Sequence, residues 1–520
     1  MNKIQNPILT GFNPDPCMIR VGDDYYIITS TFEWVPGIPV YHSKDLRNWR
    51  LLTHILPNAD FRGNPDSCGI WAPAISYADG LFYVVYTDVT RSQYPFKDGH
   101  NYLITAENIE GPWSDPIFLN RSSFDPSIFH DDDGRKWYMD VDWDFRACGR
   151  NKSNGIKMQE YCPKQEKLVG PIHWIFKGTD LKKTEASHIY KRGGYYYLMT
   201  AEGGTGLTHA VTIARSKSVT GPYEVDPENP MLTAANDPTI YLQKAGHASL
   251  VNTQNDEWYI AHLCSRPVAG KYSILGRETA LQKVRWTEDG WLRLSCGGNS
   301  PETFVDGPDL PECLWPVVDD TKEDFDGDAL GMAWCSLRRA QDDSWMTLSE
   351  RPGYLRLRGG ESIHSLSDQH LIARRQQHFK CTVETKIDFN PTNYLHMAGL
   401  VLYYNTSKYT YLYLSHDEEK GRVLNIMHSK LGEWEIENLW LELPEGEIKL
   451  KAVINHANVA FYYAGDGEDW TLVGGDIHIG HLADEGMGFT GNFVGICAQD
   501  LQGAGVGADF DYFYYQGGDE

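Results

Sequence analysis

Three acidic residues stand where a short apolar strand is about to begin: Asp15 before Pro16-Cys17-Met18-Ile19, Asp125 before Pro126-Ser127-Ile128-Phe129, and Glu185 before Ala186-Ser187-His188-Ile189. Brought to one place, such a trio suits hydrolysis of a glycosidic bond. One carboxylate must be ionised to activate water, and another must be protonated to release the leaving oxygen. The third can keep that proton on, because a neighbouring negative charge raises the pKa of an acid. The distance between acid and base would set the stereochemistry, about 6.5–9.5 Å leaving room for a water and giving inversion. Asp before Pro also starts Asx-type turns, the structural alternative for Asp15 and Asp125. No such turn explains Glu185. The Asp131-Asp132-Asp133 run sits in a hairpin turn and reads as solvated surface.

What could gather these residues is a repeat. Segments opening at Asp15, Trp71, Asp125, Glu185 and His247 share one plan: a short apolar strand, a Gly/Asp/Asn turn, then an aromatic strand such as Tyr25-Tyr26-Ile27-Ile28 or Phe82-Tyr83-Val84-Val85. The openings lie 56, 54, 60 and 62 positions apart, long enough for a four-stranded blade. A Gly-Pro-aromatic marker recurs at Gly111-Pro112-Trp113 and Gly221-Pro222-Tyr223, two periods apart. The expected fold is therefore all-β, with a five-bladed β-propeller over residues 1–300. In a propeller the first strands line a central channel, so the five openings should converge near its axis. Clustered buried carboxylates repel and lose hydration, which marks the mouth of that channel as a functional site.

A Gly-, Pro- and Asp-rich linker is expected over 301–322. From 323 to 520 the alternation of Cys381, Val383, Thr385, Ile387 and Phe389 against Thr382, Glu384, Lys386 and Asp388 predicts half-buried strands, hence a C-terminal, jelly-roll-like β-sandwich.

Composition narrows the partners. With 47 basic and 71 acidic residues the net charge is -24, which argues against nucleic acid or anionic lipid as partner. No apolar run approaches the roughly 20 residues of a membrane span. The N-terminus runs directly into polar and turn residues, so the expectation is a cytoplasmic protein. The ten cysteines show no CxxC spacing and read as buried free thiols.

Asn13-Pro14-Asp15-Pro16, Phe124-Asp125-Pro126-Ser127 and Thr184-Glu185-Ala186-Ser187-His188 resemble the three acidic motifs of glycoside hydrolase family 43. Ser30-Thr31-Phe32-Glu33-Trp34, Ile70-Trp71-Ala72-Pro73, Leu275-Gly276-Arg277-Glu278-Thr279 and Phe489-Thr490-Gly491-Asn492-Phe493-Val494-Gly495 are similar to signatures of its β-xylosidase branch. The resemblance implies Asp15 as general base, Glu185 as general acid and Asp125 as the group that orients Glu185 and lifts its pKa. It implies inverting exo-hydrolysis of xylo-oligosaccharides, with a sandwich loop closing the pocket and Phe493 against the terminal sugar. Arg277 would contact sugar hydroxyls, the alternative being a surface ion pair with Glu278. Phe32, Trp71 and Phe124 are either sugar-facing or core, Ala72, within the second signature, is expected among the substrate-binding residues, and Thr205 is expected on a pocket loop. His247 could bond sugar or water, ligate a divalent cation or be a satisfied core residue; no cofactor is required, although the resemblance allows a calcium ion nearby. It also implies a homo-oligomer, a dimer or tetramer. Two other readings stay open: an α-L-arabinofuranosidase or arabinanase using the same acids, and a non-catalytic carbohydrate-binding propeller. Where relatives carry Gly-Pro or Ala-Pro after the acid, this chain has Ala186-Ser187.

Overall fold

The computed structural model describes residues 3–121, 123–147, 151–316, 321–465, 467, 469–485 and 488–518. Aromatic and β-branched residues in period-two order make strands along most of this length. The N-terminal repeats form five antiparallel sheets, four of them four-stranded and the fourth in the chain five-stranded, with successive strands paired outward from the first. Their first strands are Cys17–Val21, Gly69–Ala78, Ser127–His130, Glu185–Arg192 and Gln243–Asn252. These touch one another in cyclic order, the fifth returning to the first, so the sheets are the blades of a five-bladed propeller. The aromatic second strands supply much of the packing between blades; Ile27, Val84, Met139, Leu198 and Ile260 are fully or almost fully buried.

The ring is closed from both ends. Lys3–Gln5 pairs with Phe304–Asp306, Leu9 bridges Thr279, and the Asn6 amide donates to the Leu281 carbonyl at 2.7 Å. The expected linker thus contributes a strand to ring closure, while its residues 317–320 lie outside the described residues.

The C-terminal region packs an eight-stranded sheet on a nine-stranded one. Lys380–Asp388 alternates buried and half-buried positions as its sequence predicts. Trp345, Leu400, Leu412, Phe461, Ile496 and Phe510 fill the core between the sheets. One edge strand of the nine-stranded sheet comes from the propeller: Trp34–Val35 pairs with Cys335–Leu337. A second apolar cluster runs through both lobes, joining Phe12, Phe32, Trp34 and Trp71 to Tyr403, Tyr411, Phe493 and Cys497.

Two sequence expectations fail locally. Asp131 is buried, its carboxylate accepting from Lys191 Nζ at 2.7 Å and Tyr196 Oη at 2.9 Å, so this turn residue ties the third blade to the fourth. Of the cysteines, Cys296 is exposed and Cys162 and Cys313 are half-buried; Cys148 lies outside the described residues.

Candidate active site

Each blade enters the channel through a residue with left-handed backbone: Asp15 (φ 57°), Ala72 (φ 32°), Asp125 (φ 51°), Ala186 (φ 50°) and His247 (φ 50°). Non-glycine residues seldom adopt this region, and five recurrences in one ring mark a structural register. Trp71 and Glu185 stand one residue ahead of it. A one-residue offset turns a side chain to the other face of an ordinary strand. Here the ladder slips between Trp71 and Ala74 and between Glu185 and His188, and both early side chains reach the channel mouth beside Asp15, Asp125 and His247.

They line a cavity of about 310 Å³, at the small end of the range for ligand pockets. Asp15, Phe32, Trp71, Phe124, Asp125, Glu185, Thr205, His247 and Arg277 all line it. Ala72 does not; its backbone N–H donates to Ser30 Oγ at 2.7 Å, and Ser30 in turn donates to Asp15 Oδ2 at 2.7 Å. Phe493 does not either. It is fully buried as the first residue of strand Phe493–Asp500, stacked on Trp34 with ring centroids 3.7 Å apart. The ring that lines the cavity is Phe489, four residues earlier, packed against Phe32 (6.1 Å) and Trp71 (5.6 Å).

Arg277 explains much of the geometry. Its Nη1 donates to Asp15 Oδ1 at 2.8 Å, and its Nη2 and Nε donate to the Phe489 carbonyl at 3.1 and 3.3 Å. The alternative of a surface pair with Glu278 is overturned: Arg277 is buried, and Glu278 is held by Arg266 through bonds of 2.7 and 2.9 Å. The Phe489 loop is anchored a second time. Lys244 Nζ donates to Ser273 Oγ at 2.9 Å, to both Asp484 oxygens at 2.9 and 3.0 Å, and to Glu485 Oε1 at 2.9 Å. Burial, with help from Glu485, pushes the Asp484 carboxyl up to about 6 despite Lys244.

The three acids sit in different electrostatic environments. Burial pushes Asp15 upward, but Arg277, His247 and the Ser30 hydroxyl outweigh it and hold the carboxyl below its ordinary value. Glu185 is displaced the other way: burial raises it and Asp15 adds to the rise, against Lys97 and the Ser153 hydroxyl, which donates at 2.9 Å. Asp125 is pushed well above the ordinary carboxyl range by burial, Glu185 and Asp15 together. The site therefore holds one ionised carboxylate and, facing it, a pair that retains protons more readily.

Burial also lowers His247 and takes His209 down to about 3. His247 Nδ1 lies 3.5 Å from Asp15 Oδ1. Calcium takes six to eight oxygen ligands. The nearest carboxylate to His247 is already engaged by a guanidinium, and among the described residues no three His, Cys, Asp or Glu side chains group to hold a metal. These side chains do not form a calcium ligand set.

Several pocket residues escape the sequence reading: Tyr94, Lys97, Trp143, Lys152, Ser153, Lys183, His209 and Phe489. Most lie on loops between strands or at strand ends, where no periodicity points inward. Only Ser153, paired across the ladder with Trp143, and Phe489, inside a recognised motif, carry a usable signal.

A propeller whose channel mouth presents one carboxyl held below and another held above the ordinary range, beside a wall of aromatic rings, defines a sugar-cleaving hydrolase of the acid–base type. Comparison with known proteins gives the same class. Residues 4–292 match the model of glycosyl hydrolases family 43, and residues 322–516 match the β-xylosidase C-terminal concanavalin A-like domain. The chain belongs to glycosyl hydrolases family 43. It is 46% identical to "Xylosidase/arabinosidase 43B" of Humicola insolens, over 99% of this chain and 98% of that one. It is 44% identical to a β-xylosidase of Bacillus subtilis (strain 168), over 99% of both chains. The crystal structure of a xylan β-1,4-xylosidase from Bacillus halodurans C-125 superposes with a TM-score of 0.97 at 53% identity, covering 99% of this chain and 100% of that one.

Proposed function

We propose that this protein is an inverting exo-1,4-β-xylosidase that releases single xyloses from the non-reducing ends of xylo-oligosaccharides. One observation carries the reading: in a single small pocket, Asp15 is held below and Glu185 above the ordinary carboxyl range. Asp15 takes a proton from a water whose oxygen attacks the anomeric carbon. As the glycosidic C–O bond breaks, Glu185 gives its proton to the leaving oxygen. Asp125 stays close to Glu185 and opposes its ionisation. Phe489, Phe32 and Trp71 close the other end, which suits a chain end and not a chain interior.

Product analysis of xylotriose by proton NMR immediately after mixing tests this. The expected first products are α-xylose and xylobiose; β-xylose as the first anomer would overturn inversion. The relative in Humicola insolens, a xylosidase/arabinosidase, supports a second activity on α-L-arabinofuranosides. Comparing aryl β-xylopyranoside with aryl α-L-arabinofuranoside decides which dominates, and equal or higher kcat/KM on the latter would defeat the xyloside preference. Action on short imported oligosaccharides in the cytoplasm, by a homo-oligomer, belongs to the same proposal; host fractionation and light scattering check it.

A further inference from the structure

The leaving-group end of the pocket gathers three lysines in a molecule of net charge -24. Glu185 must face the leaving oxygen, so whatever flanks Glu185 flanks the sugar behind the scissile bond. Those flanks are lysines. Lys183 is two residues before Glu185, Lys152 adjoins the Ser153 that donates to Glu185, and Lys97 Nζ lies over the Trp71, Phe124 and Trp143 rings at 4.5, 4.0 and 4.7 Å.

None of the three makes an ion pair with a carboxylate among the described residues. Lys152 Nζ donates to the Phe145 carbonyl at 2.7 Å and lies 4.5 Å from the Tyr94 ring centroid. Lys183 is exposed and left-handed (φ 53°). Its side chain lies where a Cβ on Gly204 (φ 71°) would stand, 2.6 Å from Lys183 Cδ and 2.8 Å from its Nζ, so the missing side chain at Gly204 makes the seat for this ammonium at the pocket wall.

At the closed end Arg277 and Asp15 cancel each other. At the open end the lysines act through space on Glu185, Asp125 and Asp144 without closing an ion pair with any of them, and burial, first of all, holds Glu185 and Asp125 above the ordinary carboxyl range. A locally positive mouth raises the concentration of anionic ligands.

We infer that the leaving-group end of the pocket, through Lys183 with Lys152 and Lys97 behind it, favours a carboxylate-bearing leaving group: a xylo-oligosaccharide with a uronic acid on the xylose following the scissile bond. The inference rests on the xylosidase reading and adds the substituent its substrate carries. Shape and charge are separated by a matched pair: xylotriose bearing glucuronic acid on its middle xylose, and the same compound with that carboxylate converted to the primary amide. Xylose release is measured at low salt with the intact protein, alongside plain xylotriose. The ratio of kcat/KM, acid over amide, should be about two- to fivefold, the scale of partly exposed ion pairs. It should fall toward one in Lys183→Met, persist in Lys183→Arg, and shrink as salt shortens the screening length. A ratio at or below one in the parent protein, or one that survives in Lys183→Met, overturns the inference. Failure to release xylose from plain xylotriose instead overturns the underlying function.

Discussion

The two ends of the pocket are built on opposite plans. At the closed end the charged groups are held: Asp15 by Arg277 and Ser30, Arg277 by the Phe489 carbonyl, and the Phe489 loop by Lys244. At the open end the cations stand over rings, carbonyls and a glycine, and Asp125 accepts no hydrogen bond from a described side chain. The closed end is preorganised for one sugar ring and one water, where a small displacement is costly to catalysis. The open end exchanges leaving groups of varied length, and charge there acts through space without a fixed geometry. Rigid pairing and loose charge thus mark what the site must define and what it must tolerate.

Substitutions at the two ends should therefore differ in kind. The largest effect is expected from Asp15→Asn, which keeps an acceptor for Arg277 but removes the base: kcat on xylobiose should drop about a thousandfold with circular dichroism unchanged. Glu185→Gln should cost about a hundredfold or more on xylobiose and far less on an aryl xyloside with a good leaving group, which needs little protonation. Equal losses on both substrates would remove Glu185 from the acid role.

Phe489→Ala should lower kcat/KM about tenfold, mostly through KM, as expected for losing one ring from an apolar wall; Phe493→Ala should instead lower the melting temperature, since that ring is core. The smallest effect concerns pH. The base works above its pKa and the acid below its own, so the acidic limb of kcat/KM should fall below the ordinary aspartate range and the alkaline limb above the ordinary glutamate range. Because the Lys97 charge lowers Glu185, Lys97→Met should move the alkaline limb upward by a fraction of a pH unit. A downward shift would break the electrostatic distinction between the two ends.

The fivefold ring was legible because each blade must bury two faces and so repeats its aromatic strand and turn. Asp15, Asp125 and Glu185 were legible because an acid opening an apolar strand has no structural need to be there. The left-handed register was not: backbone handedness leaves no mark at Ala72 or Ala186, and the repeat looks one residue out of step at Trp71 and Glu185. The choice of Phe493 over Phe489 has a related cause. Both flank the same motif, and only the strand beginning at Phe493 decides which ring turns inward. The lysines lay beyond reach, since the segments carrying them have no period and it is the folded loops that set them against Trp71, Phe124, Trp143 and Gly204.

The edge strand Trp34–Val35, lent by the propeller to the sandwich sheet, has an evolutionary consequence. Phe32, two residues before it, lines the pocket, and Trp34 itself supports the base of the strand that follows the Phe489 loop. Grafting a foreign C-terminal lobe onto this propeller would therefore disturb catalysis from both sides of one seam. Lineages that reshuffle modules freely should keep these two as an inseparable inheritance, diversifying instead at the blade loops, where new specificities can arise without breaking the joint.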